Sequence, residues 1–255
     1  MAIIIKSRRE IELMKIAGKV MIGLFDELEK HTKPGISTAE LDKIACRYIR
    51  SNGAIPACKG YGGFPGNICI SVNDTLIHGI PSKKIILKDG DIVSYDCVVF
   101  KDGYNVDACR TFPVGNVKEE TLHLLETTKR CFFEAVKLIK PGVHLGDISH
   151  KIEETATKEG YSLTEDYTGH GIGKEMHEDP YVPNVGEKGS GPILKEGMTL
   201  AIEPMVNEGK KELYTLEDGW TVKTKDGKMC AHYENTVVVT KDGYQILTLK
   251  EGEEI

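Results

Sequence analysis

The chain has 255 residues, 40% of them hydrophobic, and a formal net charge of −6, so it can bury a substantial core in one large domain or two closely packed halves. It shows no apolar run of membrane-span length, no signal-peptide pattern and no block of Lys and Arg, so we expect neither a membrane nor a nucleic-acid partner. Its seven cysteines include no CxxC pair, which favours reduced thiols in a cytoplasmic protein over a disulfide framework or a zinc finger.

Two helices are predicted in the N-terminal part of the chain. The first covers about 7–31, with Ser7 as its N-cap and apolar residues tending to one face. The second covers 37–52 and follows a KPG sequence. Ser37 can cap it and Glu40 stands three residues later, which is the spacing of a capping box.

The next predicted element is a β-hairpin within 91–112, where two strand-like segments flank the turn signal KDG. If residues 101 and 102 form the turn, Asp96 faces Asp107 directly. If residues 102 and 103 form it, the two aspartates are diagonal neighbours. Either turn places both carboxylates on one face, close enough to share an ion, whereas a three-residue loop without a bulge would separate them.

The second half of the chain repeats this order of elements. A helix is predicted at about 118–139, and another follows a second KPG sequence. A glycine-rich stretch at 169–192 leads to strands and turns over 197–249, with a second KDGY hairpin at 241–244. Helices packed on an antiparallel sheet, an α+β arrangement, are therefore expected.

An internal repeat relates the two halves. The segment 33–53 resembles 140–160, and the segment 86–99 resembles 193–206. In both cases the second copy begins 107 residues after the first, so a chance match is less plausible than a duplication.

The second match aligns Asp96 with Glu203, so each half carries a carboxylate at the same strand position. We predict a single catalytic domain, 1–255, made of two similar halves at about 7–106 and 114–213 that face each other across a shared site.

Acidic and imidazole side chains recur in short motifs on segments predicted to be strands and turns. Four carboxylates cannot gather in a half-buried site without a cation to neutralise them. Carboxylates mixed with imidazoles suit two divalent ions of intermediate hardness, namely Co, Mn, Fe(II) or Zn. Two such ions can share a hydroxide and polarise a carbonyl group. The candidate residues are His78, Asp96, Asp107, His170, His177, Glu203 and Glu234.

In this order and spacing, LIHGIP, YDCVVFKDGYNVDACRTF, TGHGIGKEMHEDP, AIEPM and HYENTVVVT resemble the type I methionine aminopeptidases from end to end. The resemblance implies the pita-bread fold, with two pseudo-symmetric halves and helices packed on a curved antiparallel sheet. It also implies a cytoplasmic metallopeptidase that removes the N-terminal methionine, preferably before a small residue. The expected partner is a peptide or nascent chain, with transient ribosome contact, and the expected state is a monomer.

The resemblance further implies a role for each residue of the metal site. Asp107 and Glu234 would bridge the two metals, Asp96 would complete one site, and His170 with Glu203 would complete the other. Glu203 would also act in proton transfer from the bridging water.

The remaining residues would handle the substrate. His78 would contact the scissile amide, and His177 would stabilise the tetrahedral oxyanion. An apolar pocket rich in aromatic rings and thiols suits the sulfur of a methionine side chain. The matching positions are Cys58, Tyr61, Phe64, Cys69, Met176 and Trp220.

The chain departs from the usual pattern of this family at a few positions. Cys97-Val98 and Ala201 stand where hydroxyl residues are common, while Asn235 and Gly62 stand where histidine is common. The missing hydroxyls remove possible hydrogen bonds to ligand carboxylates, so we expect an effect on rate and metal affinity.

Two other functions compete with this interpretation. A proline-specific peptidase of the same fold would share the five ligands but generally carries a large extra N-terminal domain. A pita-bread binding protein without catalysis, associated with ribosomes or RNA, would typically have lost ligands, and this sequence keeps all five.

Overall fold

The computed structural model describes residues 2–250 and 252–253, and within them the chain forms four α-helices and fifteen strands. The helices are α1 (Arg8–His31), α2 (Thr38–Ser51), α3 (Glu119–Val136) and α4 (Leu145–Lys158). The strands are β1 (Ile55–Pro56), β2 (Cys69–Val72), β3 (Thr75–Ile77), β4 (Ile92–Lys101), β5 (Tyr104–Pro113), β6 (Ser162–Leu163), β7 (Gly169–Gly171), β8 (Glu178–Val182), β9 (Thr199–Ile202), β10 (Met205–Asn207), β11 (Leu213–Thr215), β12 (Val222–Thr224), β13 (Cys230–His232), β14 (Glu234–Val239) and β15 (Tyr244–Ile246).

The central sheet joins the two halves of the chain. Seven of its nine strands run in the order β1-β4-β5-β14-β9-β7-β8, and β2 and β15 pair with β4 and β14. Every pairing in it is antiparallel. The first half meets the second where β5 pairs with β14, with Glu234 opposite Cys109. The α+β prediction is confirmed.

The helix starts follow their capping signals. Ser7 and Ser37 cap α1 and α2, and in each case the glutamate three residues on accepts a hydrogen bond from the cap backbone. Each such cap stabilises a helix by about 1 kcal/mol. Helix α3 ends at Val136, earlier than predicted, because the amides of Leu138 and Ile139 bond to carbonyls three residues back in a tighter turn.

The two halves repeat each other in backbone detail. Helices α2 and α4 have 14 residues each and begin 107 residues apart, as do strands β4 and β9. The bridge between Ser37 and Ile86 recurs, at the same offset, between His144 and Ile193. This is the pita-bread fold with two pseudo-symmetric halves that the sequence resemblance implied.

Strand β4 shows how the sheet divides core from site. Tyr95, Cys97 and Val99 are buried in the hydrophobic core under α1 and α2. The alternate residues Asp96 and Val98 line a cavity on the opposite face, because successive strand side chains point to opposite sides. A second hydrophobic core lies under α3 and α4. Among the described residues, no helix is both long and apolar enough to cross a bilayer.

Candidate metal centre and substrate pocket

The β4–β5 hairpin places two carboxylates beside one another. Asp102 and Gly103 form its turn with positive φ angles of 51° and 89°, as a type I′ turn requires. Asp96 therefore lies opposite Cys109, while Asp107 lies opposite Val98. Of the two even-length turns that the sequence allowed, the diagonal arrangement is right and the directly facing arrangement is wrong.

The second half of the chain brings its own candidate ligands to this point. Glu234 begins β14, His170 lies on β7 opposite Ala201, and Glu203 directly follows β9. Single ligand atoms of Asp107, His170 and Glu234 lie within 4.8 Å of one another. The Nε2 atom of His170 is 3.7 Å from both Asp107 Oδ2 and Glu203 Oε1. Residues more than 120 positions apart in sequence thus share one small volume.

The carboxylates of this cluster lack a compensating charge or donor. Asp107 is 5% exposed and Glu234 2%, and among the described residues Asp107 Oδ1 and Glu234 Oε1 are buried without a hydrogen-bond partner. Burial, and then the neighbouring carboxylates, raise the pKa of both groups well above the usual range. Burial also raises the pKa of Asp96 to about 6. Unpartnered buried carboxylates are stable when they coordinate cations, so this donor set fits divalent metal ions.

His170 is prepared for ligation by its neighbours. Its Nδ1 lies 2.8 Å from the carbonyl oxygen of Gly171 and donates to it, which leaves Nε2 without a proton and directed at the carboxylates. Burial lowers the pKa of His170 to about 3, so the ring is neutral. The flanking glycine at 171 is required by packing, because a Cβ there would lie 2.2 Å from the carbonyl oxygen of Asp179.

Two further histidines lie next to the cluster. The rings of His177 and His170 are 4.2 Å apart, and the Tyr61 hydroxyl is 2.7 Å from His177 Nδ1. His78 has a left-handed backbone (φ 55°), and its ring packs edge-on against Trp220 at 6.2 Å. Burial, and then the proximity of His177, lower the pKa of His78 to about 4. Both rings adjoin the cluster as neutral donors or acceptors.

A cavity of about 160 Å³ opens onto the carboxylates. Phe64 and Trp220 form one part of its wall, with their ring centroids 5.2 Å apart in an edge-to-face contact. The structure brings all the predicted pocket positions into this lining, together with Asp96, Asp107 and both pocket histidines. The predicted positions are Cys58, Tyr61, Phe64, Cys69, Met176 and Trp220.

Sequence reasoning missed two residues of this region. Val98 lines the cavity, and strand alternation from Asp96 was the signal that could have found it. His232 is buried, and its Nε2 lies 3.7 Å from Glu203 Oε2 and 3.8 Å from Glu234 Oε2. It precedes Glu234 by two residues in the HYENT motif. Burial lowers the pKa of His232 to about 3, with smaller effects from other groups.

The four departures from the family pattern have different surroundings. Cys97 faces the α1 core, so its thiol does not replace a hydroxyl at the carboxylates. Ala201 lies between His170 and Thr236 in the sheet. The Asn235 side chain accepts hydrogen bonds from Arg110 and Thr248. At Gly62, an added Cβ would lie 3.1 Å from the Trp220 ring, so a larger residue there would press on the pocket wall.

Comparisons with known proteins place these features in a family. Residues 12–241 match the sequence model of metallopeptidase family M24. A methionine aminopeptidase of Clostridium acetobutylicum is 52% identical over 98% of this chain and 100% of its own length. A methionine aminopeptidase of Escherichia coli K12 is 44% identical over 100% of this chain and 97% of its own length.

Solved structures agree with the sequence comparisons. The methionine aminopeptidase of Thermotoga maritima superposes with a TM-score of 0.96 at 43% identity, covering 98% of this chain and 100% of that one. The prolidase of Pyrococcus furiosus superposes with a TM-score of 0.77 at 25% identity, covering 97% of this chain but 66% of that one.

Proposed function

The chain belongs to metallopeptidase family M24, and from this premise we propose that it removes the N-terminal methionine from peptides and nascent proteins. Hydrolysis uses a metal-activated water and proceeds best when the second residue is small. The observation that carries the proposal is the cluster of buried, unpartnered carboxylates opening onto a small pocket lined by aromatic and sulfur-containing side chains. The catalytic unit is a single domain, 1–255.

The metal ligands are assigned by position and supported by geometry. Asp107 and Glu234 bridge two divalent ions, each through a buried oxygen that has no other partner among the described residues. Asp96 completes one site, and His170 with Glu203 completes the other. Co, Mn, Fe(II) and Zn suit such ligands. When bound, two such ions supply an acidified water and polarise the scissile carbonyl.

The chain's own groups handle protons around that water. Glu203 lies beside His170 and takes the proton from the attacking water. The Tyr61 hydroxyl can donate to Nδ1 of His177, which places the ring proton on Nε2, free to bond the oxyanion of the tetrahedral intermediate. His78 contacts the scissile amide and passes a proton to the leaving amine.

The pocket sets the specificity for the first residue. Its volume of about 160 Å³ accommodates one side chain, and Cys58, Cys69 and Met176 offer soft contacts to a thioether. Charged residues would lose solvation in this apolar wall, and branched ones would meet the Phe64–Trp220 edge.

The cellular setting follows from the same reasoning. We infer a cytoplasmic monomer that meets nascent chains through transient ribosome contact. All seven cysteines are free thiols, as suits a reducing compartment.

A peptide assay with controlled metal loading tests the proposal. The chelated enzyme is supplied with Mn, Fe(II), Co or Zn in turn and given peptides beginning Met-Ala, Met-Lys, Leu-Ala and Xaa-Pro. We expect metal-dependent cleavage of Met-Ala, with little on the others. Equal rates on Met-Ala, Met-Lys and Leu-Ala would indicate a broad aminopeptidase, cleavage of Xaa-Pro alone would indicate the prolidase activity, and no cleavage with any metal would leave a binding protein.

A further inference from the structure

His232 is a buried polar residue that the roles above leave without a task. It ends strand β13, is 1% exposed, and is fixed through its backbone to Thr111. The His232 amide donates to the Thr111 hydroxyl at 3.0 Å, and that hydroxyl donates to the His232 carbonyl at 2.8 Å. Within the part of the chain that the structure describes, neither ring nitrogen has a hydrogen-bond partner. An imidazole held this firmly and left unpartnered is costly unless it bonds a group at the site.

The ring faces two of the proposed ligands. Its Nε2 is 3.7 Å from Glu203 Oε2 and 3.8 Å from Glu234 Oε2. The other oxygen of Glu203 faces His170 at 3.7 Å, so this carboxylate lies between two imidazoles. Both His232 distances exceed a hydrogen bond by less than 1 Å, a gap that side-chain rotation closes, and such contacts commonly tighten when a site is filled.

The location of the ring proton separates His232 from His170. The Nδ1–H of His170 is committed to the Gly171 carbonyl, which leaves Nε2 bare and able to bind metal. His232 has no such acceptor at Nδ1. The only acceptors near its ring are the carboxylate oxygens on the Nε2 side, so the proton belongs on Nε2. A protonated nitrogen cannot be a metal ligand, but it can donate to one.

We propose that His232 is a positioning residue of the metal centre, donating its Nε2–H to the carboxylates of Glu203 and Glu234 and so fixing which oxygens they present to the metals. This inference rests on the proposed metal-dependent function. Hydrogen-bond partners of metal ligands typically contribute 10- to 100-fold to metal affinity. The His232 bond also restrains Glu203, which must turn one oxygen toward the attacking water.

Two substitutions separate a donor role from a packing role. His232→Met keeps the bulk and removes the donor, whereas His232→Gln keeps an N–H group. We expect His232→Met to weaken Mn binding by about 10- to 100-fold in chelator competition, with His232→Gln within about threefold of the parent. The metal-free melting temperatures of the two variants should agree. His123→Gln, at a histidine on α3 that faces Glu159 outside the metal centre, is the matched control and should change nothing.

Nitrogen NMR of the zinc-loaded, histidine-labelled protein gives a second readout. We expect a proton on Nε2 of His232 and a bare, metal-bound Nε2 on His170. A metal-bound Nε2 on His232 would make it a ligand and overturn the proposal, as would unchanged Mn affinity in His232→Met or equal weakening in both variants. If the parent protein binds no metal and cleaves no Met-Ala peptide, the proposed function fails instead.

Discussion

Replacing Asp107 with Asn tests the metal centre with little change in shape. Asp107 is buried on β5, its Oδ1 has no partner among the described residues, and its Oδ2 lies 3.7 Å from His170. In the metal-free protein, burial and the nearby Asp96 raise the pKa of Asp107, which means that its ionised form is disfavoured. The amide removes that charge together with a bridging ligand. The substitution should therefore leave the metal-free fold at least as stable while abolishing activity.

The size of the metal effect can be worked out in advance. At a hundredfold excess over the dissociation constant, one bound ion stabilises the folded parent by about 2.7 kcal/mol. For a chain of this size, 1 kcal/mol corresponds to roughly 2–4 °C in melting temperature, so Mn or Co should raise it by about 5–11 °C. In Asp107→Asn the rise should fall below about 2 °C, because a bridging ligand serves both sites.

Thermal melts with EDTA and with added Mn or Co measure these shifts, alongside Met-Ala hydrolysis. The matched control is Asp102→Asn, which makes the same charge change at the exposed turn of the same hairpin and suits its left-handed backbone. The control should keep the full metal shift and full activity. The two-metal interpretation is wrong if metal leaves the parent's melting temperature unchanged, or if Asp107→Asn remains fully active.

Three further predictions follow from individual side chains. Glu203→Gln should fold but lower turnover at least roughly a hundredfold in the Met-Ala assay, and near-normal turnover would refute the proton-transfer role. Lys6→Met should lower the melting temperature by roughly 6–20 °C, because Glu178 then stays buried without its ion-pair partner at a cost of about 3–5 kcal/mol; replacing Glu178 by Leu as well should recover most of this, and an unchanged single variant would contradict it. Burial raises the pKa of Asp96 to about 6, so its contribution to the metal-free fold is complete below about pH 4 and is lost as pH rises through 6. Metal competes with that proton, so the melting shift from Mn should be smaller at pH 5 than at pH 7.5, and a shift that does not depend on pH would contradict this.

The local elements of the fold could be predicted from the sequence because their causes are local. Ser7 and Ser37 each stand three residues before a glutamate, and the two capping boxes form where expected. The alternation of apolar and polar residues predicted both strands of the β4–β5 hairpin. The repeat at an offset of 107 residues indicated two similar halves, and the backbone bridges recur at that offset.

Other features depended on contacts that no local pattern encodes. The choice between two turns in KDG was settled by the register that brings Lys101 opposite Tyr104, within a strand pair held along its whole length. The Lys6–Glu178 pair joins residues 172 positions apart, and neither charge carries a sign of burial in the sequence.

His232 shows most clearly where the sequence reaches its limit. Its spacing from Glu234 predicts a shared strand face, but a period of two cannot say whether that face meets solvent or the carboxylates of the other half. Only the packing of β13 and β14 against the β4–β5 hairpin decides this, because burial and the proximity of Glu203 arise from long-range contacts. The sequence therefore determined which chemical groups are available, and the tertiary structure determined which of them meet and which lose their solvent.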